Sequence, residues 1–311
     1  MYSQAKPIDE KLLTNPESIF QRGSTTYYHS TKLFPSKIRK DVTTLYCFVR
    51  VVDDFVDAVP QDLESFTNFK NDYYLALSGK NVNNSIINNY IELSYRKNFE
   101  PEWTEAFLKS MEMDTTKSKY ENIDELNEYL YGSSEVIGLM MNKVMDIDER
   151  AHHSAKYLGK AMQFINFIRD IDEDLDLNRT YFPKDTLLEF GLEGLTRGEA
   201  RRKPKQFRAF VRSQIKIYFD WQKKAETGFI YLPKRMRVAV KTASDMYMWT
   251  ATKIYKNPFL VYDMQIKPTW NKVLLAGMKN YFSIYFSFYN KNISIQEPSV
   301  NYKIKERNQT L

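Results

Sequence analysis

The chain has 311 residues, 43% of them hydrophobic and 15% aromatic, with a net charge of +6; that is enough apolar content for a sizeable core and excludes wholesale disorder. Ten glycines and eleven prolines are few turn residues for a β-rich fold, and one cysteine with three histidines excludes an internal disulfide and argues against a Cys- or His-built metal centre. The opening "MYSQAKPIDEKLL" lacks the apolar stretch of a signal peptide, no apolar run reaches the ~20 residues that span a bilayer, and the basic residues form no aromatic-interleaved nucleic-acid stripe, so the expected location is the cytoplasm with no nucleic-acid partner.

Residues 1–17 and 293–311 read as polar, flexible ends of a single domain spanning 1–311. Between them helical periodicity recurs at about 36–58, 62–79, 83–97, 102–112, 123–145, 150–177, 184–190, 196–226, 233–255 and 268–290. Breakers such as Pro60, Pro101, Pro183 and Pro204 separate several of these segments. Alternating strand patterns are rare, and the expected class is all-α.

Within 36–58, "LYCFVRVVDDFVDAVP" places Tyr46, Arg50, Asp53 and Asp57 on one stripe at spacings of four, three and four. Leu45, Phe48, Val49, Val52 and Val56 fill the other directions. A polar stripe on a helix otherwise apolar all round is the wall of a buried polar cavity rather than a solvent face. The segment 150–177 repeats the device. In "QFINFIRDIDEDLDLNRTYFP", Gln163, Asn166, Asp170 and Asp174 share a stripe beside Phe164, Ile165, Phe167, Ile168 and Ile171. Crowded carboxylates repel one another, and a bound cation offsets that repulsion. Magnesium takes oxygen ligands and commonly completes its shell with substrate phosphates. One Asp-x-x-x-Asp pair arises often by chance; two, each with a neighbouring arginine (Arg50, Arg169), form the clamp expected around a diphosphate leaving group.

These segments carry a resemblance. "STTYYHSTKLFP" (24–35), "LYCFVRVVDDFVD", "YLYGSSEVIGLMM" (129–141) and "LGKAMQFINFIRDIDEDLDLNRTYFPKD" (158–185) together resemble the squalene/phytoene synthase family of head-to-head isoprenoid synthases. The resemblance implies a helical bundle around a central cavity, with two Asp-rich helices facing each other across it. It implies magnesium, with manganese as a substitute, on Asp53, Asp57, Asp170 and Asp174, supported by Asn166. Arg50, Gln163, Arg169, Arg179 and Tyr181 would face the diphosphates, with Ser24 and Tyr27 from the opening segment. Tyr46 and Tyr129 would lie close to the reacting carbons, and Tyr247 in "ASDMYMW" would line the same cavity. The chain departs from the family at Ser133-Ser134-Glu135, where Glu135 is either solvent-facing or a partner for a nearby base. It also has Lys267 where many members carry an arginine.

The motif wording resembles carotenoid-forming members more closely, which implies condensation of two geranylgeranyl diphosphates to phytoene without NADPH. The alternatives are squalene or dehydrosqualene formation from two farnesyl diphosphates, a non-catalytic scaffold that keeps the fold, and a head-to-tail elongase. A scaffold would have lost the aspartates, and an elongase would leave the Tyr-Phe-Pro segment unexplained. Finally, "WNKVLLAGMKNYFSIYFSFY" (270–289) is rich in aromatics and edged by Lys272 and Lys279. It reads either as a last helix closing the core or as a face resting peripherally on an anionic membrane.

Overall fold

The computed structural model describes residues 19, 20, 28 and 30–286. The expected flexible ends at 1–17 and 293–311, and Ser24 and Tyr27 of the opening segment, lie outside the described residues. Every described element is helical apart from one isolated bridge between Lys119 and Thr180.

In chain order the helices are α1 (Ser36–Asp57), α2 (Leu63–Leu77), α3 (Ser85–Arg96), α4 (Pro101–Thr116) and α5 (Ile123–Leu130). A π-helical turn (Tyr131–Glu135) leads into α6 (Val136–Val144), then α7 (His152–Arg169), α8 (Ile171–Asp176), α9 (Lys184–Glu189) and α10 (Arg197–Arg202). The long α11 (Pro204–Glu226) and α12 (Lys234–Lys256), the short α13 (Leu260–Asp263) and α14 (Trp270–Phe286) complete the order. Local chemistry sets many of the starts. Asp62, Asn84, Asn122 and Thr196 accept backbone N–H bonds as N-caps, and Pro101 and Pro204 occupy first turns, where a missing N–H costs nothing.

Three segments differ from the unbroken helices their periodicity predicts. The helix over 150–177 breaks at Asp170 (φ −100°, ψ 19°). The hydrogen-bond ladder nonetheless runs on, since Asp170 N–H reaches Asn166 O and Asp174 N–H reaches Asp170 O, both at 2.8 Å. The restart puts Asp172, Glu173 and Asp174 in a first turn, where the free amides favour negative charge. The helix over 196–226 breaks at Lys203 (φ −122°, ψ 58°), because Pro204 pushes its predecessor out of the helical region. The helix over 123–145 widens into the π turn, where Gly132 meets α4 so closely that a Cβ would sit 2.0 Å from Ala106 O.

α7 runs through the middle of the bundle, packed along α11 on one side and α6 on the other. Two glycines let α6 and α7 touch backbone to backbone. A Cβ on Gly138 would stand 2.2 Å from Ala155 O, and one on Gly159 2.1 Å from Ser134 O. α1 buries Leu45, Phe48, Val52 and Val56, and Phe48 stacks on Tyr90 of α3 with ring centroids 3.7 Å apart. Tyr46 of its polar stripe lines a cavity that residues of α7 line as well. No helix of the described residues is long and apolar enough to cross a membrane.

Candidate active site

On α1 the stripe forms as its spacing predicts. The Arg50 guanidinium donates to Asp53 Oδ2 at 3.0 Å and also pairs with Asp54, an acid outside the predicted stripe. Burial, then the neighbouring Asp57 carboxylate, push the Asp53 carboxyl up to about 8. Tyr46, four residues earlier, stacks on Phe20 at 4.1 Å, and burial raises its hydroxyl above the ordinary range.

The second stripe lies across the junction of α7 and α8. Arg169 Nε donates to Asp170 Oδ1 at 2.6 Å, and its Nη2 to the other carboxylate oxygen. Burial, with Asp170 and Asp57 nearby, raises Asp174 well above the usual carboxylate range. After α8, Asn178 takes a left-handed conformation (φ 57°), which Asn tolerates better than most residues. The reversal brings Arg179 under α1. There its Nη1 donates to Asp57 Oδ1 and its Nη2 to Val56 O, each at 2.5 Å. That buried guanidinium ties the second acidic segment to the first across 122 residues of sequence, so the two stripes do face each other.

Beneath them lies a group the sequence reading missed. Asp114, buried near the C-terminal end of α4, accepts from Tyr129 Oη at 2.6 Å and Tyr181 Oη at 3.0 Å, with Arg179 Nε 4.0 Å away. Burial pushes its carboxyl up to about 6, against the lowering effect of Arg179 and the tyrosyl donors. A signal was present: Trp103, Phe107, Ser110 and Met111 form the buried stripe of α4, and Asp114 continues it. Tyr129 and Tyr181, expected against the substrate, are therefore placed as buried donors to Asp114. Tyr181 stacks on Phe167 at 4.0 Å.

The stripes stand at the polar end of an apolar cavity of about 290 Å³. Tyr46, Gln163 and Asn166 line that end, while Phe34, Val42, Ile137, Met141, Leu158 and Val240 are among the apolar walls, and the lining continues along α7 to Ser154 and Ala151. Tyr129, Tyr181 and Tyr247 are not part of the lining. Tyr247 is buried on α12 close enough to Tyr46 and Arg169 to raise the pKa of each. Glu135 turns out to be a partner for bases, 3.1 Å from Lys156 Nζ and 3.0 Å from Lys160 Nζ. Lys267 is exposed and donates to Gln265, which in turn donates to Glu173 at 2.6 Å.

Among the described residues no three His, Cys, Asp or Glu side chains converge tightly enough to hold a metal ion; the carboxylates are turned instead to Arg50, Arg169 and Arg179. The donor set still fits a hard cation. It is all oxygen, it carries raised carboxyls at Asp53 and Asp174, and Asn166 Oδ1 is buried without a hydrogen-bond partner.

Comparison with known proteins follows the same residues. The Squalene/phytoene synthase family model matches residues 20–273. A chloroplastic phytoene synthase of an Oncidium hybrid cultivar is 27% identical over 277 residues, 83% of this chain and 65% of that protein, so the chain spans less than two thirds of its length. A 15-cis-phytoene synthase of Enterobacter agglomerans is 27% identical over 252 residues, 75% of this chain and 82% of that one. Among solved structures, a ligand complex of a dehydrosqualene synthase superposes with a TM-score of 0.77 at 20% identity, covering 90% of this chain and 98% of that one. Squalene synthase HpnC from Alicyclobacillus acidocaldarius gives 0.70 at 18% identity, over 82% and 97%. These two likenesses bear on the fold.

Proposed function

The chain belongs to the squalene/phytoene synthase family, and from that premise we propose that it condenses two geranylgeranyl diphosphates head to head to give phytoene, releasing diphosphate. The observation that carries the reading is the Arg179–Asp57 tie, which holds two Asp-bearing segments together over the polar end of an apolar cavity. One allylic diphosphate ionises, and the second chain's double bond attacks the carbocation and loses a proton to close a cyclopropylcarbinyl diphosphate, prephytoene diphosphate, with the first diphosphate released. This ionises in turn, rearranges and loses a proton; no reduction is needed and no NADPH is expected.

Magnesium, with manganese as a substitute, would be held by Asp53, Asp57, Asn166, Asp170 and Asp174, and when bound it neutralises charge on the departing diphosphate. Arg50, Arg169 and Arg179 supply fixed positive charge at the same place, a role worth a few kcal/mol per donor in comparable sites. Tyr46, with Phe20 behind it, presents an aromatic face at the cavity's polar end, and such a face stabilises a cation without attacking it by about 0.5–2 kcal/mol. Gln163 and Asn166 mark where the diphosphate end gives way to the prenyl chain. The rest of the wall is mostly apolar, interrupted by Ser30, Thr31, Ser133, Ser134, Asn142 and Ser154, and its apolar part excludes the water that would quench the carbocation.

The length of the cavity supports the longer substrate. From Asn166 back to Ser154 the lining follows α7 for about 18 Å at 1.5 Å per residue, and Ala151, in the turn just before the helix, carries it further. At roughly 1.2 Å per extended backbone bond, an isoprene unit is about 5 Å long, so a farnesyl chain reaches ~15 Å and a geranylgeranyl chain ~20 Å. Incubation of the purified chain with magnesium and labelled geranylgeranyl or farnesyl diphosphate, followed by extraction of the hydrocarbon, tests the proposal. Phytoene from the longer substrate is expected. Squalene or dehydrosqualene from farnesyl diphosphate alone would establish the runner-up, and no hydrocarbon from either would leave the scaffold reading.

A further inference from the structure

α14 has an inner and an outer side, and the outer side is apolar. Only Val273 and Asn280 of this helix are buried, with Asn280 Nδ2 donating to Asp245 Oδ2 at 2.8 Å across to α12. Trp270, Leu274, Met278, Tyr281 and Phe282 are exposed and fall on one broad arc at 100° per residue. Leu275 and Phe286, 61% and 63% exposed, extend that arc. A helix that only closed the core would not leave its largest side chains outside. A contiguous apolar patch of this kind marks a surface that meets something other than water.

The charges around the patch identify what it meets. Between Met264 and Phe286 there is no acidic residue, while Lys272 and Lys279, two turns apart, run along one edge of the arc. Lys234 Nζ lies 5.5 Å from the Tyr285 ring. Leu33 packs near Gly277, and the Arg235 guanidinium holds the Leu33 carbonyl at 2.6 Å, with Lys32 exposed alongside. Apolar surface rimmed by lysine and arginine complements an anionic bilayer: the side chains enter the acyl boundary and the cations remain at the headgroups. A second copy of the chain would set these cationic rims against each other.

The position is also suited to a lipophilic product. Ser30, Thr31 and Phe34 line the cavity, while Lys32 and Leu33 between them are exposed beside α14. One short segment thus separates the cavity from the apolar face. We infer that the outer face of α14, with Leu33, docks on an anionic phospholipid bilayer, and that the cavity opens toward the lipid across residues 30–34. The docking is independent of the reaction proposed above; the exit route rests on that reaction.

Sedimentation with phosphatidylcholine vesicles, with and without phosphatidylglycerol, tests the docking on the full chain. The chain is expected to pellet with the anionic vesicles at low salt and to be released as the Debye length falls from about 30 Å at 0.01 M to about 3 Å at 1 M. Leu275→Glu and Phe282→Glu, at exposed positions the fold does not need, are expected to lower partition at least about tenfold. Lys272→Gln and Lys279→Gln should lower it about fivefold each at low salt. Hydrocarbon formation in detergent is expected to be unchanged in all four, so a chain that binds vesicles yet makes no hydrocarbon would refute the reaction and leave the docking standing. Equal recovery in the supernatant with and without anionic vesicles overturns the inference. So does a dimer in light scattering that Phe282→Glu converts to monomer while vesicle binding stays as in the parent, since the occupant would then be a second copy.

Discussion

Asp53 and Asp170 illustrate how one carboxylate can oppose folding and serve chemistry. Each sits in an acidic cluster offset only by arginine, so Asp53→Asn or Asp170→Asn removes repulsion while deleting a proposed cation ligand. Turnover is expected to fall by at least about 10²-fold, with a melting temperature equal to or above that of the parent; activity within tenfold of the parent would remove the assignment. Asp114 behaves differently, because its oxygens accept from Tyr129 and Tyr181. Asp114→Ala leaves two buried hydroxyls and a buried guanidinium short of a partner, a loss of about 2–4 kcal/mol in urea unfolding. The raised carboxyls also fix the sign of the pH dependence. With Asp53 near 8 and Asp114 near 6 in the folded state against about 3.9 unfolded, the native state holds more protons across that window, so stability falls as pH rises. Asp148 and Glu199, both lowered to about 2, contribute stability above their unfolded values and lose it only as pH falls through the acid range toward 2. The metal-free chain is therefore expected to be more stable at about pH 5.5 than at about pH 8, and urea midpoints at the two pH values check it.

At the scale of elements, the contact between α6 and α7 decides where the site's polar groups stand. Gly138 and Gly159 interlock backbone to backbone, and α7 carries Gln163 and Asn166 one turn and two turns beyond Gly159. In Gly159→Ala the new methyl meets a carbonyl oxygen that cannot swing aside as a side-chain tip would, so the helices must separate. A loss of about 1–3 kcal/mol is expected from overpacking, together with a raised KM as Gln163 and Asn166 shift. An unchanged KM with reduced stability would confine the role of the contact to packing. The turn at Asn178 works similarly on the other motif: its left-handed conformation delivers Arg179 to Asp57, a link no helical period could supply.

At the scale of the whole molecule, the proposed reaction implies that a cavity with Tyr46, Gln163 and Asn166 at one end and mostly apolar walls beyond sorts substrates by length. Ala151, buried at the far end of the α7 lining, is the position to shorten it. Ala151→Leu is expected to lower use of geranylgeranyl diphosphate relative to farnesyl diphosphate by about tenfold, near the value of one or two misplaced methylenes. The ratio of hydrocarbons formed from an equimolar mixture of the two substrates measures it, and an unchanged ratio would show that length is set elsewhere.

The all-α class, most helix positions and both acidic stripes were legible in the sequence because each is local: burial on one side of a helix imprints a period of 3.6, and Asp53/Asp57 and Asp170/Asp174 inherit their spacing from it. The break at Asp170 was less legible, since a break need not disturb that period, whereas Pro204 was itself the sign of the break at Lys203. What only the tertiary structure decided are the relations between distant segments. Asp114 became part of the site because α4 is packed so that its stripe ends under Tyr129 and Tyr181, and Glu135 found Lys156 and Lys160 because α7 lies against the π turn. The outer face of α14 remained exposed for the same kind of reason. Its composition suits a core or a lipid surface equally, and only the placement of α12 on one side, with no described helix on the other, decides which neighbour the aromatic residues have.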